Sequence, residues 1–308
     1  MGHQQPRGER VSAILIAGPT ASGKSGLALR LAERLGGTLV DADSMQVYRD
    51  LAILTARPSQ KDEARAPHLL FGHIDGAVNY SVGRYIEDAA TLVDLRGRLP
   101  IFVGGTGLYF RALTQGISDI PHVPKALRAE LRARAEGLTA AELHAELATR
   151  DPAMAAKLRP SDPQRILRAL EVRAATGRSL AAFQGARRAP LVDPGTCVAI
   201  FVAPERAALN AAIDKRFDAM VAAGAVKEVA ALQARALDPA LPVMRALGVP
   251  HLLRHLAGEI DLEEAARLAK RDTRAYAKRQ FTFARHQLPE FRWVAPQEAE
   301  AVVIEALG

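Results

Sequence analysis

The stretch that most constrains this chain is residues 11–25, VSAILIAGPTASGKS. Ala13–Ala17 is a short apolar run of the kind that forms a buried strand. The run breaks at Gly18 and Pro19 and continues through Thr20, Ala21, Ser22, Gly23, Lys24 and Ser25, filling every fixed position of the phosphate-loop pattern. Evenly spaced apolar residues from Leu27 to Leu35 then predict a helix. Strand, glycine loop and helix in that order place backbone N–H groups around phosphate oxygens at a helix N-terminus. Lys24 adds a point charge for the terminal phosphates, and the Ser25 hydroxyl is the expected ligand for Mg²⁺. Such a loop specifies a polyphosphate; it does not specify ATP.

A chain of 308 residues has room for one large or two small domains, and 49% apolar with 24% charged residues is ordinary for a soluble globular protein. No run approaches the roughly 18 apolar residues of a membrane span, and the polar first ten residues lack a secretory apolar region. Residues 1–10 are expected to fray. The single cysteine, Cys197, excludes an internal disulfide framework and a cysteine-cluster zinc site. Together these predict a cytoplasmic protein. The formal charge of +7 permits a polyanionic partner without requiring one.

Thr38, Leu39 and Val40 read as a second strand running into Asp41-Ala42-Asp43-Ser44-Met45-Gln46. In an open α/β sheet, ligands sit outside the carboxyl ends of the strands, so Asp43 is a candidate for the phosphate-loop crevice. There it reads equally as a general base or water-mediated metal ligand, or as a cap on a turn or helix. Residues 52–81 look irregular, with His68 and His73 suited to surface or hydrogen-bonding roles. Residues 82–95 have helical spacing, with Tyr85, Ala89, Leu92 and Val93 on one side. Pro100-Ile101-Phe102-Val103 is a further buried strand, ending in Gly104-Gly105-Thr106-Gly107, either a ligand-approach site with the Thr106 hydroxyl or a plain strand–helix turn.

From about residue 118 to 188 strand-like runs stop, and segments 125–136, 140–149, 152–158 and 163–176 read as helices: an all-helical block inserted into an α/β chain. Its arginines, among them Arg128, Arg132, Arg134, Arg165 and Arg168, fit a solvated face. The α/β pattern resumes with a strand at 196–202. Helices at 209–223 and 226–236, a connector at 242–249 with a glycine turn, an edge strand at 291–294 and a closing helix follow. A helix at 262–286 carries Arg267, Arg271, Arg274, Lys278 and Arg285 in a stripe that either tracks a phosphate backbone or is simply solvated. Ala269, Tyr276 and Phe283 lie on another face, spaced for the core.

Taken together these motifs resemble the tRNA dimethylallyltransferases, also called tRNA isopentenyltransferases, over about residues 13–294. They are GPTASGKS at 18–25, DADSMQVYRD at 41–50, TARP at 55–58, APHLL at 66–70, YSV at 80–82, VGGTGLY at 103–109, SDPQRILRALEV at 161–172, RFDAM at 216–220 and TRAYAKRQ at 273–280. The resemblance implies an α/β fold: a P-loop NTPase-like core with a central parallel sheet (residues 11–117 and 190–308) and a helical insertion (118–189) over the anticodon arm. It implies transfer of a dimethylallyl group from dimethylallyl diphosphate to N6 of adenine 37 of tRNA, by a monomer. Gly18 to Ser25 would hold the diphosphate, with Lys24, Mg²⁺ on Ser25, and Arg216 stabilising its departure. Asp43 would accept the amine proton, and Thr106 would position the amine or a diphosphate oxygen. Asp43, Ser44, Met45, Gln46, Thr106, Arg128, Gln164, Arg165, Ile166, Leu167, Arg168, Met244, Arg245, Ala246, Leu247, Gly248 and Val249 would contact tRNA, with the basic stripe near the anticodon stem.

Three positions depart from the family pattern: Leu54 stands where the family usually has Gly, Leu247-Gly248-Val249 where it has Ile-Gly-Tyr, and Phe281-Thr282-Phe283 where it has Thr-Trp. None is Lys24, Asp43 or Thr106. The absence of a Cys-x₂-Cys pair fits the bacterial form rather than the zinc-finger-bearing metazoan and fungal relatives. Three other readings fit the P-loop: a small-metabolite kinase, an adenylate isopentenyltransferase, and a nucleotide-gated RNA-binding module. The helical block argues against the second, and Asp43 with Thr106 at two strand ends argues against the third.

Overall fold

The computed structural model describes residues 11–92, 97–183, 185 and 187–308. Contacts divide it into two compact units: one comprising residues 11–114 and 190–308, the other residues 115–189.

The first unit is built on a six-stranded, all-parallel sheet in the order β3-β2-β4-β1-β5-β6. The strands are β1 (Ala13–Ala17), β2 (Thr38–Asp41), β3 (His68–Leu69), β4 (Pro100–Gly104), β5 (Cys197–Val202) and β6 (Arg292–Val294). Successive side chains point to opposite faces, and both faces are buried, so the central strands read as unbroken apolar runs. Ile14, Ile16, Ile101, Val103, Ile200 and Val202 pack on one face, with Leu27 and Leu31 of α1 (Lys24–Leu35) and Val303 near the C-terminus. Leu15, Phe102 and Phe201 pack on the other with Tyr85, Phe110, Leu252 and Ala269.

That second face is covered by α3 (Val82–Ala90), α4 (Gly107–Gln115) and, after β5, by α9 (Arg206–Ala222), α10 (Ala225–Ala234), α11 (Val249–Leu256) and α12 (Leu262–Gln287). α2 (Gln60–Glu63) is a single capped turn, and α13 (Ala299–Leu307) closes the chain. The helix read at 82–95 ends at Ala90, and residues 93–96, including Val93 of that reading, lie outside the described residues, as do residues 1–10 of the expected tail. The irregular reading of 52–81 is corrected at His68–Leu69, which adds a parallel edge strand to β2. Two residues are too short for any periodicity to mark them.

Register fixes the site. Ala17 of β1 lies beside both Gly104 of β4 and Phe201 of β5, and Asp41 of β2 lies beside Val103. The carboxyl ends of three strands therefore converge, carrying the phosphate loop, the 42–46 segment and the Gly104–Thr106 turn.

The second unit is all-helical: α5 (Lys125–Ala135), α6 (Ala140–Arg150), α7 (Pro152–Ala155) and α8 (Pro163–Thr176). It has its own core, with Leu143, Leu147, Met154, Ile166, Leu170 and Val172. Thr139 and Asp162 cap α6 and α8 through side-chain bonds to backbone N–H groups. Among the described residues, no helix is long and apolar enough to cross a membrane.

Candidate active site

The loop between β1 and α1 is shaped by its backbone. Gly23 is left-handed (φ 84°) and so is Ala21 (φ 62°), which turns the loop back towards the helix. A Cβ at Gly18 would lie 2.9 Å from Ser22 Oγ and 3.0 Å from the Val202 carbonyl, so only glycine fits. Gly23 supplies no side-chain cap, which leaves the first N–H groups of α1 to a ligand. Ser22 is buried with an unpartnered Oγ, while Gly23 and Ser25 are exposed.

Lys24 is buried, and its Nζ donates to the Pro19 carbonyl at 3.1 Å. Burial holds its pKa down to about 8; the Asp43 and Asp41 carboxylates pull it up and the Arg216 guanidinium pushes it further down. Asp41, fully buried, is driven well above the usual carboxylate range by burial and then by the Asp43 charge. Its Oδ1 accepts the Asp43 N–H at 2.8 Å, and its Oδ2 has no partner.

The β4 turn approaches the 42–46 segment at backbone distance. A Cβ on Gly104 would fall 2.0 Å from the Ala42 carbonyl oxygen, and one on Gly105 2.3 Å from Gln280 Nε2 and 3.1 Å from Asp43 Oδ2. Thr106 Oγ1 accepts the Ser44 N–H at 2.8 Å and donates to Ser44 Oγ at 3.1 Å. Asp43 Oδ1 accepts the Met45 N–H at 3.0 Å. Gln280 of α12 ties two loops together: its Nε2 donates to the Gly105 carbonyl at 2.7 Å, and its Oε1 accepts the Thr20 N–H at 3.1 Å.

A cavity of about 310 Å³ opens over these loops. Thr20 and Gln280 mark its phosphate-loop end, Asp43, Ser44 and Met45 line it, and Arg216 contributes from α9. Burial lowers the Arg216 pKa while the Asp43 charge opposes it. Arg245, Ala246 and Leu247 form another wall beside Leu54 and Thr55. The site thus pairs one carboxylate, Asp43, with a lysine and an arginine in a space suited to a polyanion and an uncharged group.

Most residues read from the sequence as site residues meet here; several do not. Gln46 turns away, its Nε2 donating to the Thr55 carbonyl at 2.8 Å and the Ala56 carbonyl at 3.2 Å. Val249 is fully buried at the start of α11, and Met244 packs against the core. Gly248 is a turn glycine (φ 91°) whose Cβ would lie 3.1 Å from Phe217.

In the helical unit, Ile166 is fully buried and Leu167 packs on its core, so neither side chain is presented to a ligand. Gln164 and Arg165 are exposed. Arg128, Arg132 and Arg168 are not a freely solvated face: all three surround the buried Glu171 carboxylate at 3.6, 3.1 and 3.5 Å.

Most of the basic stripe of α12 is paired with acidic or aromatic neighbours. Arg267 pairs with Glu264, Arg271 with Asp272 and Arg274 with Asp214, whereas Arg285 stacks over Trp293. Tyr276 is a site residue, lining the cavity with its hydroxyl against Thr106; burial and the Asp43 charge raise its pKa. Gln280 was legible only as part of TRAYAKRQ, since a polar residue on a helix's inner face gives no periodic signal.

A P-loop-like turn fed by the central strand of a parallel sheet, with a carboxylate and an arginine across one cavity, has the geometry of a candidate enzyme site for a phosphorylated ligand. The chain belongs to the IPP transferase family, whose model matches residues 46–287; a model described as isopentenyl transferase matches residues 11–66. It is 68% identical over 298 residues to the tRNA dimethylallyltransferase of Methylocella silvestris, covering 96% of this chain and 98% of the relative. To that of Beijerinckia indica subsp. indica it is 63% identical, covering 96% and 99%. Among solved structures it is similar to the tRNA isopentenylpyrophosphate transferase of Bacillus halodurans (TM-score 0.67, 32% identity, 97% of both chains). It is also similar to a eukaryotic dimethylallyltransferase acting on tRNA (TM-score 0.77, 26% identity, 92% of this chain and 73% of that one).

Proposed function

We infer that this transferase moves a dimethylallyl group from dimethylallyl diphosphate to N6 of adenine 37 in a tRNA anticodon loop, releasing diphosphate. The observation that carries the reading is the single cavity into which Thr20 of the phosphate loop, Asp43 and Arg216 all face. The relatives' activity agrees with it. The bond from the allylic carbon to the diphosphate oxygen breaks as the bond from that carbon to N6 forms. The diphosphate leaves with its negative charge, held by the loop N–H groups, Lys24 and Arg216. The amine proton passes to an Asp43 carboxylate oxygen, whose Oδ1 already accepts the Met45 N–H and is thereby oriented. Thr106, fixed by Ser44, and Tyr276 position the amine.

Mg²⁺ fits this site. Ser25 is exposed at the first turn of α1, and the buried Asp41 Oδ2 has no partner among the described residues. When bound, the ion would neutralise charge on the departing diphosphate from the Ser25 hydroxyl. The adenine must leave the anticodon stack to enter the cavity, as in base-flipping enzymes. Arg245 and Leu247 at the cavity wall, and Arg128, Gln164, Arg165 and Arg168 of the helical unit, are the side chains proposed to contact tRNA. A cytoplasmic location goes with that substrate.

The test is label transfer from radiolabelled dimethylallyl diphosphate to unmodified tRNA with Mg²⁺. Wild type is expected to label the RNA, and Asp43→Ala to lose roughly 10²–10⁴-fold of the rate. Phosphate transfer from ATP with no RNA label would mean a kinase instead.

A further inference from the structure

The wall formed by Leu54 and Thr55 belongs to a loop that a residue outside the cavity holds. Three successive backbone N–H groups converge on one carboxylate: Ala52 and Ile53 donate to Glu228 Oε1 at 2.7 and 2.8 Å, and Leu54 donates to Glu228 Oε2 at 2.9 Å. Consecutive N–H groups arranged in this way form an anion nest, here filled from within the protein. Glu228 sits in the first turn of α10, which begins at the left-handed Gly224 (φ 106°), so the helix N-terminus and the nest share the same carboxylate charge. The far end of the loop is closed by the Thr55 hydroxyl donating to the Leu51 carbonyl at 2.6 Å, and by Gln46 donating to the Thr55 and Ala56 carbonyls. Ala56 is left-handed (φ 49°), a conformation that a non-glycine residue keeps only where its surroundings impose it.

We propose that Glu228 is a positioning residue for the acceptor base: through the 52–54 nest it sets the Leu54–Thr55 wall against which the flipped adenine is held. This role rests on the functional reading above. Three observations place the loop on the acceptor side. It carries no cationic side chain in its cavity-facing pair, and the N–H groups of residues 52–54 are already taken by Glu228, so it offers a diphosphate little to bind. Gln46, which binds it, ends the segment that begins at Asp43, the residue that receives the N6 proton. Leu54 also packs beside Gly248, where a Cβ would lie 3.3 Å from Leu54 Cδ2, so the loop is continuous with the 245–247 wall. An apolar side chain next to a hydroxyl suits a flat heterocycle with polar edges.

The experiment compares wild type, Glu228→Ala and the near-isosteric Glu228→Gln in steady-state label transfer, varying tRNA and dimethylallyl diphosphate separately. Amide hydrogen exchange across residues 49–58 is followed in the same proteins. Glu228→Ala is expected to raise the KM for tRNA about tenfold or more, to leave the KM for the donor within about twofold, and to speed exchange at residues 52–54. Glu228→Gln keeps one acceptor oxygen but faces Leu54 N–H with a donor, and is expected to fall between the two; it serves if the alanine variant does not fold.

Unchanged kinetics with an active wild type would overturn the role alone. So would a rise in donor KM without a rise in tRNA KM, which would put the wall on the prenyl tail, or equal losses in both with a matching fall in Tm, which would make Glu228 merely structural. A wild type that transfers no prenyl group to tRNA would overturn the functional reading and this role with it.

Discussion

Lys24 shows how the site holds charge in reserve. It is buried, and its pKa falls from an ordinary 10.5 to about 8, burial being the main cause. Below pH 8 the folded protein carries a buried ammonium that the unfolded chain keeps in water, so the group costs stability there. Between about pH 8 and 10.5 the folded state has given up the proton while the unfolded state still binds it, and stability rises with pH through that window. Lys24→Met is therefore expected to be more stable than wild type at pH 7 in metal-free buffer, with the advantage shrinking towards pH 10.5. Denaturant titrations at several pH values check this; a difference independent of pH would refute it. The same substitution removes the cation proposed to face the leaving group, so a gain in stability is expected to accompany a loss of transfer.

At the scale of elements, the site depends on how closely strand ends approach. Gly104 and Gly105 are adjacent, yet substitutions there act differently. A Cβ at 104 meets the Ala42 carbonyl, backbone that cannot swing aside, so Gly104→Ala is expected to lower stability by about 1–3 kcal/mol in thermal or chemical denaturation. A Cβ at 105 meets the end of the Gln280 side chain, which can move, and crowds Asp43. Gly105→Ala is expected to keep near-normal stability and lose roughly 10²-fold in transfer. The reverse ranking would mean that the turn, not Asp43, is the sensitive element.

The same elements explain what the sequence disclosed. β1, α1 and β4 were legible because fully buried strands and a leucine-spaced helix leave strong patterns, and Asp43 and Thr106 were legible because they follow strand ends. β3 was not, being two residues on an edge. Tyr276 and Gln280 were hidden for a different reason: on the buried side of a long helix, a residue facing a cavity and one facing a core occupy the same periodic positions. Glu228 carries no pattern at all, since its partners are backbone N–H groups some 175 residues earlier.

At the scale of the whole molecule, two units with separate cores imply separable stability. Leu147 is fully buried in the helical unit, among residues that share nothing with the sheet's two apolar layers. Leu147→Ala is expected to cost that unit about 2–5 kcal/mol. By hydrogen exchange the loss is expected across residues 125–176 while β1 and β4 stay protected. Uniform loss across both units would mean that they unfold as one.

Gln280 has a consequence in time. Its two hydrogen bonds reach back 260 residues to Thr20 and 175 to Gly105. During synthesis the phosphate loop and Asp43 are made early, but the residue that joins their loops follows Thr20 by 260 positions. A chain cut before residue 280 would carry the proposed diphosphate cradle without the strut that ties it to the Gly105 turn. The two loops are therefore joined only long after both of them have been made.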